Sequence, residues 1–371
     1  MLSRMPNEHE SRCLAVARLL AEEGADFLLA TPSTDLYYLS GYGGEPSERL
    51  IALLLPAAGQ PLLITPQFEA ARLVATVPFA RLLAWGETDD PIALLTEAVK
   101  ASVKARPRLL VGQQTWAGTL LALRSALPEA DYGSAQPVLA ALRLVKSPAE
   151  VDLLRAAGGM CDRAFGRLLQ QPLAGRSERE VAELLAGEMR RAGLETLSFL
   201  IVASGPNAAL PHHEPGERRL TAGDAVVLDF GGTYRRYQSD ITRTIVVGAP
   251  TEELKRVHEQ VRQAQEIGYR SVRPGLPAAE VDAATRQHLV AAGLGEFFIH
   301  RTGHGLGLDV HEEPYLVAGN RAPLRPGMVF SVEPGAYLPG QFGVRVEDTV
   351  VVTETGAERL NQAPRELLVV G

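Results

Sequence analysis

Residues 174–199 (AGRSEREVAELLAGEMRRAGLETLSF) and 274–299 (PGLPAAEVDAATRQHLVAAGLGEFFI) align without a gap, and no other feature of the chain constrains its fold as much. Gly175 matches Gly275, Glu180-Val181 matches Glu280-Val281, and Gly193-Leu194 matches Gly293-Leu294. Each copy reads as a turn, then a helix, then a glycine able to close the helix in left-handed backbone. The similarity continues, because Leu220-Thr-Ala-Gly223-Asp-Ala-Val-Val-Leu-Asp229 parallels Leu324-Arg-Pro-Gly327-Met-Val-Phe-Ser-Val-Glu333. In both copies a turn glycine precedes an apolar, β-branched strand, and a carboxylate follows that glycine by six residues. A further strand then carries Asp240 in the first copy and Glu347 in the second. The period is far longer than that of a solenoid. The expectation is a duplicated half-domain whose halves meet across a pseudo-two-fold axis, each presenting two carboxylates to a shared site.

The repeat occupies only the second part of the 371 residues, a length that accommodates roughly two domains. Before it, short apolar runs alternate with helical patterns. A helix is expected over Ser11–Glu23, ended by Gly24, and strands over Phe27–Ala30, Arg49–Leu55, Leu62–Thr65 and Leu109–Gly112. Residues 42–49 form a turn-rich loop. This part reads as a small α/β domain over 1–142. Ser147-Pro148 opens a new helix with Glu150 in its first turn, so the second domain is expected over 143–371.

Bulk properties narrow the partners. The net charge is −7 and no basic block stands out, which argues against nucleic acid and anionic membrane. No apolar run approaches the roughly 20 residues a membrane span needs. The first ten residues hold no apolar leader, so no secretory signal is expected. Cys13 and Cys161 lie apart from any Cys/His cluster, which fits a reducing compartment and a soluble cytoplasmic protein.

The carboxylates carry the chemistry. Asp229 ends a strand that should be buried, and Glu333 does the same in the other copy. Asp240 sits in Gln238-Ser-Asp-Ile-Thr242 and Glu347 in Val344-Arg-Val-Glu-Asp348. Four semi-buried carboxylates at repeat-related places cannot all ionise near one another without a cation. His304, flanked by Gly303 and Gly305, completes an oxygen-rich set with one imidazole. Such a set can share two divalent ions. It suits manganese(II), with cobalt(II), iron(II) or zinc(II) also compatible. His311 and His212 read either as capping or exposed histidines or as donors to a developing oxyanion or a substrate carboxylate. His9 has no such context, and His258 and His288 read as parts of solvated helix faces.

Taken together, these segments resemble the pita-bread metallopeptidases: prolidase, aminopeptidase P and methionine aminopeptidase. The resemblance rests on Asp-x-Gly at Asp229, Ser-Asp-x-Thr-Arg at 239–243, His-Arg-Thr-Gly-His-Gly at 300–305, Asp-Val-His-Glu at 309–312, Glu-Pro-Gly at 333–335 and Arg-Val-Glu-Asp at 345–348, all in family order. It implies an α/β N-terminal domain followed by an α+β pita-bread domain with an internal pseudo-two-fold repeat. It implies that Asp229 binds one metal, that Asp240 and Glu347 bridge, and that His304 and Glu333 bind the other. It further implies that Glu333 shuttles a proton, that His311 stabilises the tetrahedral intermediate, that His212 contacts the substrate near proline, and that Arg345 orients the bridging carboxylates. The separate N-terminal domain is similar to that of the Xaa-Pro enzymes. The implied activity is hydrolysis of Xaa-Pro dipeptides, with aminopeptidase P action on longer peptides as the alternative and a homodimer as the assembly. In some prolidases an arginine follows the proline after Asp-Val-His-Glu and holds the dipeptide carboxylate. Here Tyr315 follows Pro314, leaving Tyr315, Arg49 and Arg321 as candidate substrate contacts. A non-catalytic binding module, or a metal-free amidinohydrolase resembling creatinase, would have lost ligands that this chain keeps.

Overall fold

A computed structural model describes residues 7–101 and 105–371. The first six residues, part of the segment read as free of an apolar leader, lie outside the described residues. The chain divides into two compact units, Met1–Arg143 and Leu144–Gly371.

In the first unit, the helix Glu8–Glu22 begins ahead of the apolar spacing because the Asn7 side chain accepts from Glu10 N at 2.8 Å. Gly24, at φ +66°, follows its end. The strands are β1 (Phe27–Ala30), β2 (Ala52–Pro56), β3 (Leu62–Pro66), β4 (Arg81–Trp85), β5 (Arg108–Val111) and β6 (Asp131–Ser134). They form a sheet in the order β4-β3-β2-β1-β5-β6. β1 pairs antiparallel with β2 and parallel with β5. β2 starts later than the apolar run predicts, since Arg49 N donates to Ser47 Oγ in a local turn that precedes it. Leu29, Leu54, Ile64 and Leu109 are buried together at the core of this α/β unit.

The second unit holds the duplication. Its strands are β7 (Thr196–Ser204), β8 (Ala225–Tyr234), β9 (Tyr237–Gln238), β10 (Ile241–Val247), β11 (Gly303–Gly305), β12 (Glu312–Leu316), β13 (Val329–Val332), β14 (Gly335–Leu338), β15 (Phe342–Arg345) and β16 (Glu347–Val352). The main sheet runs β12-β11-β13-β16-β10-β8-β7, so β16 and β10 meet at its middle and the flanking strands repeat in mirrored order. Helices Pro148–Leu168 and Glu178–Ala192 belong to one half, Glu252–Ser271 and Ala278–Ala291 to the other. The halves agree in detail. Gly175 N donates to Leu220 O at 2.9 Å and Gly275 N to Leu324 O at 2.8 Å, beside the matching bridges Ser177–Arg219 and Pro277–Pro323. This is the pita-bread arrangement that the sequence resemblance implies.

Strand alternation decides which residues reach the site. Val226, Leu228 and Phe230 of β8 pack with Ile241 and Ile245 of β10 against Cys161, Phe165 and Leu185 of the first two helices. Each such side chain contributes roughly 1.5–3 kcal/mol when fully buried. Asp229, lying between Leu228 and Phe230, therefore points to the opposite face, and a one-residue slip would drive its carboxylate into the apolar core. The same logic applies in the other half, where Phe330, Val332, Val350 and Val352 share one core.

Contrary to the sequence reading, His258 is not on a solvated face. It is 2% exposed. It belongs to the stripe Leu254, Val257, His258, Val261 that buries one side of its helix. His288 is also partly buried, and its Nε2 is enclosed with no hydrogen-bond partner among the described residues. Burial pushes the His258 imidazole down to about 4, with Arg262 and Arg243 acting in the same direction and Glu259 and Glu366 against it. An unfolded histidine titrates near 6.5, so between about pH 6.5 and 4 the unfolded chain takes up a proton that the folded chain refuses. Stability is therefore lost as the pH falls through that window. His258→Leu should remove about 2 kcal/mol of the destabilisation that develops between pH 7 and pH 5. Urea unfolding of both proteins at the two pH values measures the difference, and parallel pH profiles would contradict it.

Candidate metal centre

Three adjacent strands bring the carboxylates together. Thr242 of β10 lies opposite Asp229 of β8 on one side and Glu347 of β16 on the other. Asp240, two residues before Thr242, shares its face. From the other half, Glu333 follows β13 and His304 lies in β11. That last strand needs its glycines, since a Cβ at Gly303 would strike the Ser331 carbonyl and one at Gly305 the Glu313 carbonyl.

All five groups line one cavity of about 740 Å³, which His212, His311 and Arg345 also line, with Phe199, Ile201, Ile299 and Val310 among its apolar lining. Asp229, Asp240, His304 and Glu347 are buried. Ligand atoms of Asp240, His304 and Glu347 lie within 4.8 Å of one another. The His304 Nε2 is 3.2 Å from Glu333 Oε1 and 3.6 Å from Asp240 Oδ2.

The hydrogen bonds fix the electronic state of this cluster. Nδ1–H of His304 donates to the Gly305 carbonyl at 3.1 Å, so Nε2 turns a lone pair toward the carboxylates. Burial, reinforced by His311, pushes the His304 imidazole down to about 3, so at neutral pH it is uncharged and Nε2 carries no proton. Burial also raises the Asp240 and Glu347 carboxyls well above the ordinary range, with their acidic neighbours adding to it. Burial lifts Glu333 to about 7, against the pull of Arg345. Lone pairs of one nitrogen and several oxygens thus crowd each other at hydrogen-bond distance. Asp229 Oδ1 and Glu347 Oε1 are enclosed with no hydrogen-bond partner among the described residues. The donor set fits divalent cations, which would satisfy both the crowding and the orphaned oxygens.

Around this set runs a supporting network. The Arg345 guanidinium donates to Asp229 through Nη2, to Tyr337 Oη at 2.7 Å and to Thr242 Oγ1 at 3.1 Å. Thr242 Oγ1 in turn donates to Glu347 Oε2 at 2.6 Å. One arginine therefore sets the rotamers of carboxylates on two strands. Ser331 Oγ donates to Glu333 Oε1 at 3.0 Å and accepts from His304 N at 3.0 Å. The His311 ring meets the His304 ring edge-on at 4.0 Å between centroids. Glu312, the next residue, is tied to buried Lys146 at 2.7 Å. Burial, then Arg301 and His212, lower the His311 imidazole, so it faces the cavity neutral.

The remaining candidates fall elsewhere. Arg49 belongs to the first unit, where it pairs with Glu48 at 2.6 Å and Glu87 at 3.3 Å. Arg321 is exposed and neither it nor Tyr315 lines the cavity. Arg301, which the sequence reading passed over, does line it. Its guanidinium lies over the Tyr315 ring, 4.3 Å from the centroid, and has no hydrogen bond or ion pair among the described residues. The available signal was its place beside His300 in the His-Arg-Thr-Gly-His-Gly segment. Thr242 had the same kind of signal, its place in Ser-Asp-x-Thr-Arg, whereas Ser331 and Tyr337 had none, because a neutral hydroxyl in a strand carries no pattern of its own.

Comparison with known proteins shows the family of the chain. Residues 152–354 match the model of metallopeptidase family M24, and residues 12–145 match that of the creatinase/prolidase N-terminal domain. A protein named probable dipeptidase PepE, from Mycobacterium tuberculosis, is 43% identical over 99% of this chain and 98% of its own. A crystal structure of a prolidase from Thermococcus sibiricus has a TM-score of 0.94 at 38% identity, covering 98% of this chain and all of that one. An Xaa-Pro dipeptidase from Bacillus anthracis has a TM-score of 0.90 at 33% identity, with 98% of this chain and all of that one covered.

Proposed function

Because the chain belongs to metallopeptidase family M24, which implies divalent metal cofactors, we propose that it hydrolyses the Xaa-Pro bond of dipeptides. The observation that carries this reading is the convergence of four carboxylates and one neutral imidazole on one cavity. Asp229, Asp240, His304, Glu333 and Glu347 would hold two cations, with manganese(II) as the native metal for so carboxylate-rich a set. When bound, such ions supply Lewis acidity that polarises a carbonyl and makes water nucleophilic near neutral pH.

The chain's own groups do the rest. Glu333 accepts the proton of the attacking water and delivers it to the proline nitrogen. That nitrogen is a tertiary amide, so the bond breaks cleanly only once it is protonated. His311 donates to the oxyanion and His212 contacts the substrate beside proline. Arg345 keeps Asp229 and, through Thr242, Glu347 in place. Arg301 is the guanidinium free to take the dipeptide's carboxylate, with Tyr315 holding it in position. Among the described residues no helix is long and apolar enough to cross a membrane. Both cysteines are free and buried, which supports cytoplasmic residence, and a homodimer completes the proposal.

A carboxylate anchor discriminates by chain length, because a tripeptide carries its carboxylate one residue farther out. Ala-Pro should be cleaved with a kcat/KM at least ~10-fold above that for Ala-Pro-Ala. Arg301→Ala should narrow that gap by raising KM for the dipeptide. Equal or faster cleavage of the tripeptide would instead favour the aminopeptidase P reading.

A further inference from the structure

We infer that Glu178, which does not itself line the cavity, is a positioning residue that holds His212 in it. This rests on the proposed substrate contact by His212. Glu178 is fully buried at the start of the helix Glu178–Ala192. Its Oε1 accepts from Ser204 N at 2.8 Å, Ser204 Oγ at 2.7 Å and Asn207 Nδ2 at 3.0 Å. Its Oε2 accepts from His213 Nε2 at 2.8 Å and Gly216 N at 3.1 Å. These donors span 204–216, the segment that carries Pro211 and His212 into the cavity. The segment is held from the other side as well. Arg345 donates to the Pro211 carbonyl at 3.4 Å, and a Cβ on Gly343 would strike the Ala208 carbonyl.

The helix itself does not require this acid. The repeat aligns Glu178 with Ala278, so the equivalent helix forms with no carboxylate at that position. The second half reaches the same arrangement from one turn farther along. There, buried Asp282 accepts from Thr302 N at 3.1 Å and Thr302 Oγ1 at 2.8 Å, two residues before His304. In each half, then, a buried helix carboxylate grips the N–H and hydroxyl of a Ser or Thr at the root of a histidine-bearing segment. On the first half that histidine is a substrate contact and not a metal ligand, so loosening it should spare the cations.

Glu178→Gln keeps the volume and gives up one acceptor oxygen, leaving at least one side of the grip unmade. We expect kcat/KM for Ala-Pro to fall ~10- to 100-fold with metal content unchanged. In a His212→Ala background the same change should cost less than ~2-fold, because the two act through one group. A full, independent loss in that background, or wild-type activity of Glu178→Gln, would overturn the inference. His213→Ala removes one donor of the grip at a partly exposed position and should lower kcat/KM in the same direction even if Glu178→Gln folds poorly. The ring resonance of His212, assigned by its absence in His212→Ala, should broaden or shift in either variant, and an unmoved resonance would count against the inference. That readout needs no turnover, so an enzyme that fails to cleave Ala-Pro would defeat the proposed function and leave this inference separately decided.

Discussion

Asp240→Ala is expected to abolish hydrolysis of Ala-Pro, to below ~0.1% of wild type, and to remove most of the bound metal. Asp240 is 4% exposed, with a carboxylate oxygen within 4.8 Å of ligand atoms of both His304 and Glu347. Neither neighbour can stand in for it. Glu347 is committed to Thr242 through one oxygen, and His304 offers a single lone pair. The effect on the fold should have the opposite sign. Burial and the charges of Glu347, Asp229 and Glu333 raise the Asp240 carboxyl. A raised carboxyl means that, without cations, the ionised side chain destabilises the folded state relative to the unfolded one at neutral pH. Alanine relieves that repulsion, so in the presence of chelator the variant should melt no lower than the wild type. Activity, metal analysis and melting in chelator together isolate the cause. A metal-loaded, fully active Asp240→Ala protein would refute the assignment.

Glu333→Gln is expected to lower kcat ~10²- to 10⁴-fold, the range usual for loss of a general acid–base group. Glutamine matches glutamate in shape and can still receive the Ser331 hydroxyl bond that orients Glu333 at 3.0 Å. What it cannot do is take up and release a proton. Burial favours the protonated form of Glu333, against the pull of Arg345. The carboxylate also lies 3.2 Å from His304 Nε2, so the charge lost will weaken metal binding as well. Measuring kcat at saturating manganese separates these two contributions: the rate should stay low when metal occupancy is restored. Recovery to within ~10-fold of wild type under those conditions would limit Glu333 to a ligand role.

The sequence disclosed the duplication because the two copies kept their turn glycines and strand patterns, and the duplication in turn paired Asp229 with Glu333 and Asp240 with Glu347. Alternation along β8 then follows from the apolar residues on either side of Asp229. Local capping moved boundaries that apolar spacing could not locate, as Asn7 did for the first helix. His258 was misread because a histidine looks polar in isolation, while its spacing from Leu254 and Val261 puts it on the buried stripe. Arg301 and Glu178 escaped for a different reason. Their partners lie in segments distant in sequence, and only the folded chain brings Arg301 beside Tyr315 or Glu178 beneath the His212 segment.

Diffraction from manganese-soaked crystals at the manganese absorption edge tests the central claim most directly. Two anomalous peaks should lie in the cavity, each within ~2.0–2.4 Å of side-chain atoms from Asp229, Asp240, His304, Glu333 or Glu347. A cavity without such peaks at saturating manganese, or peaks held by other residues, would contradict it.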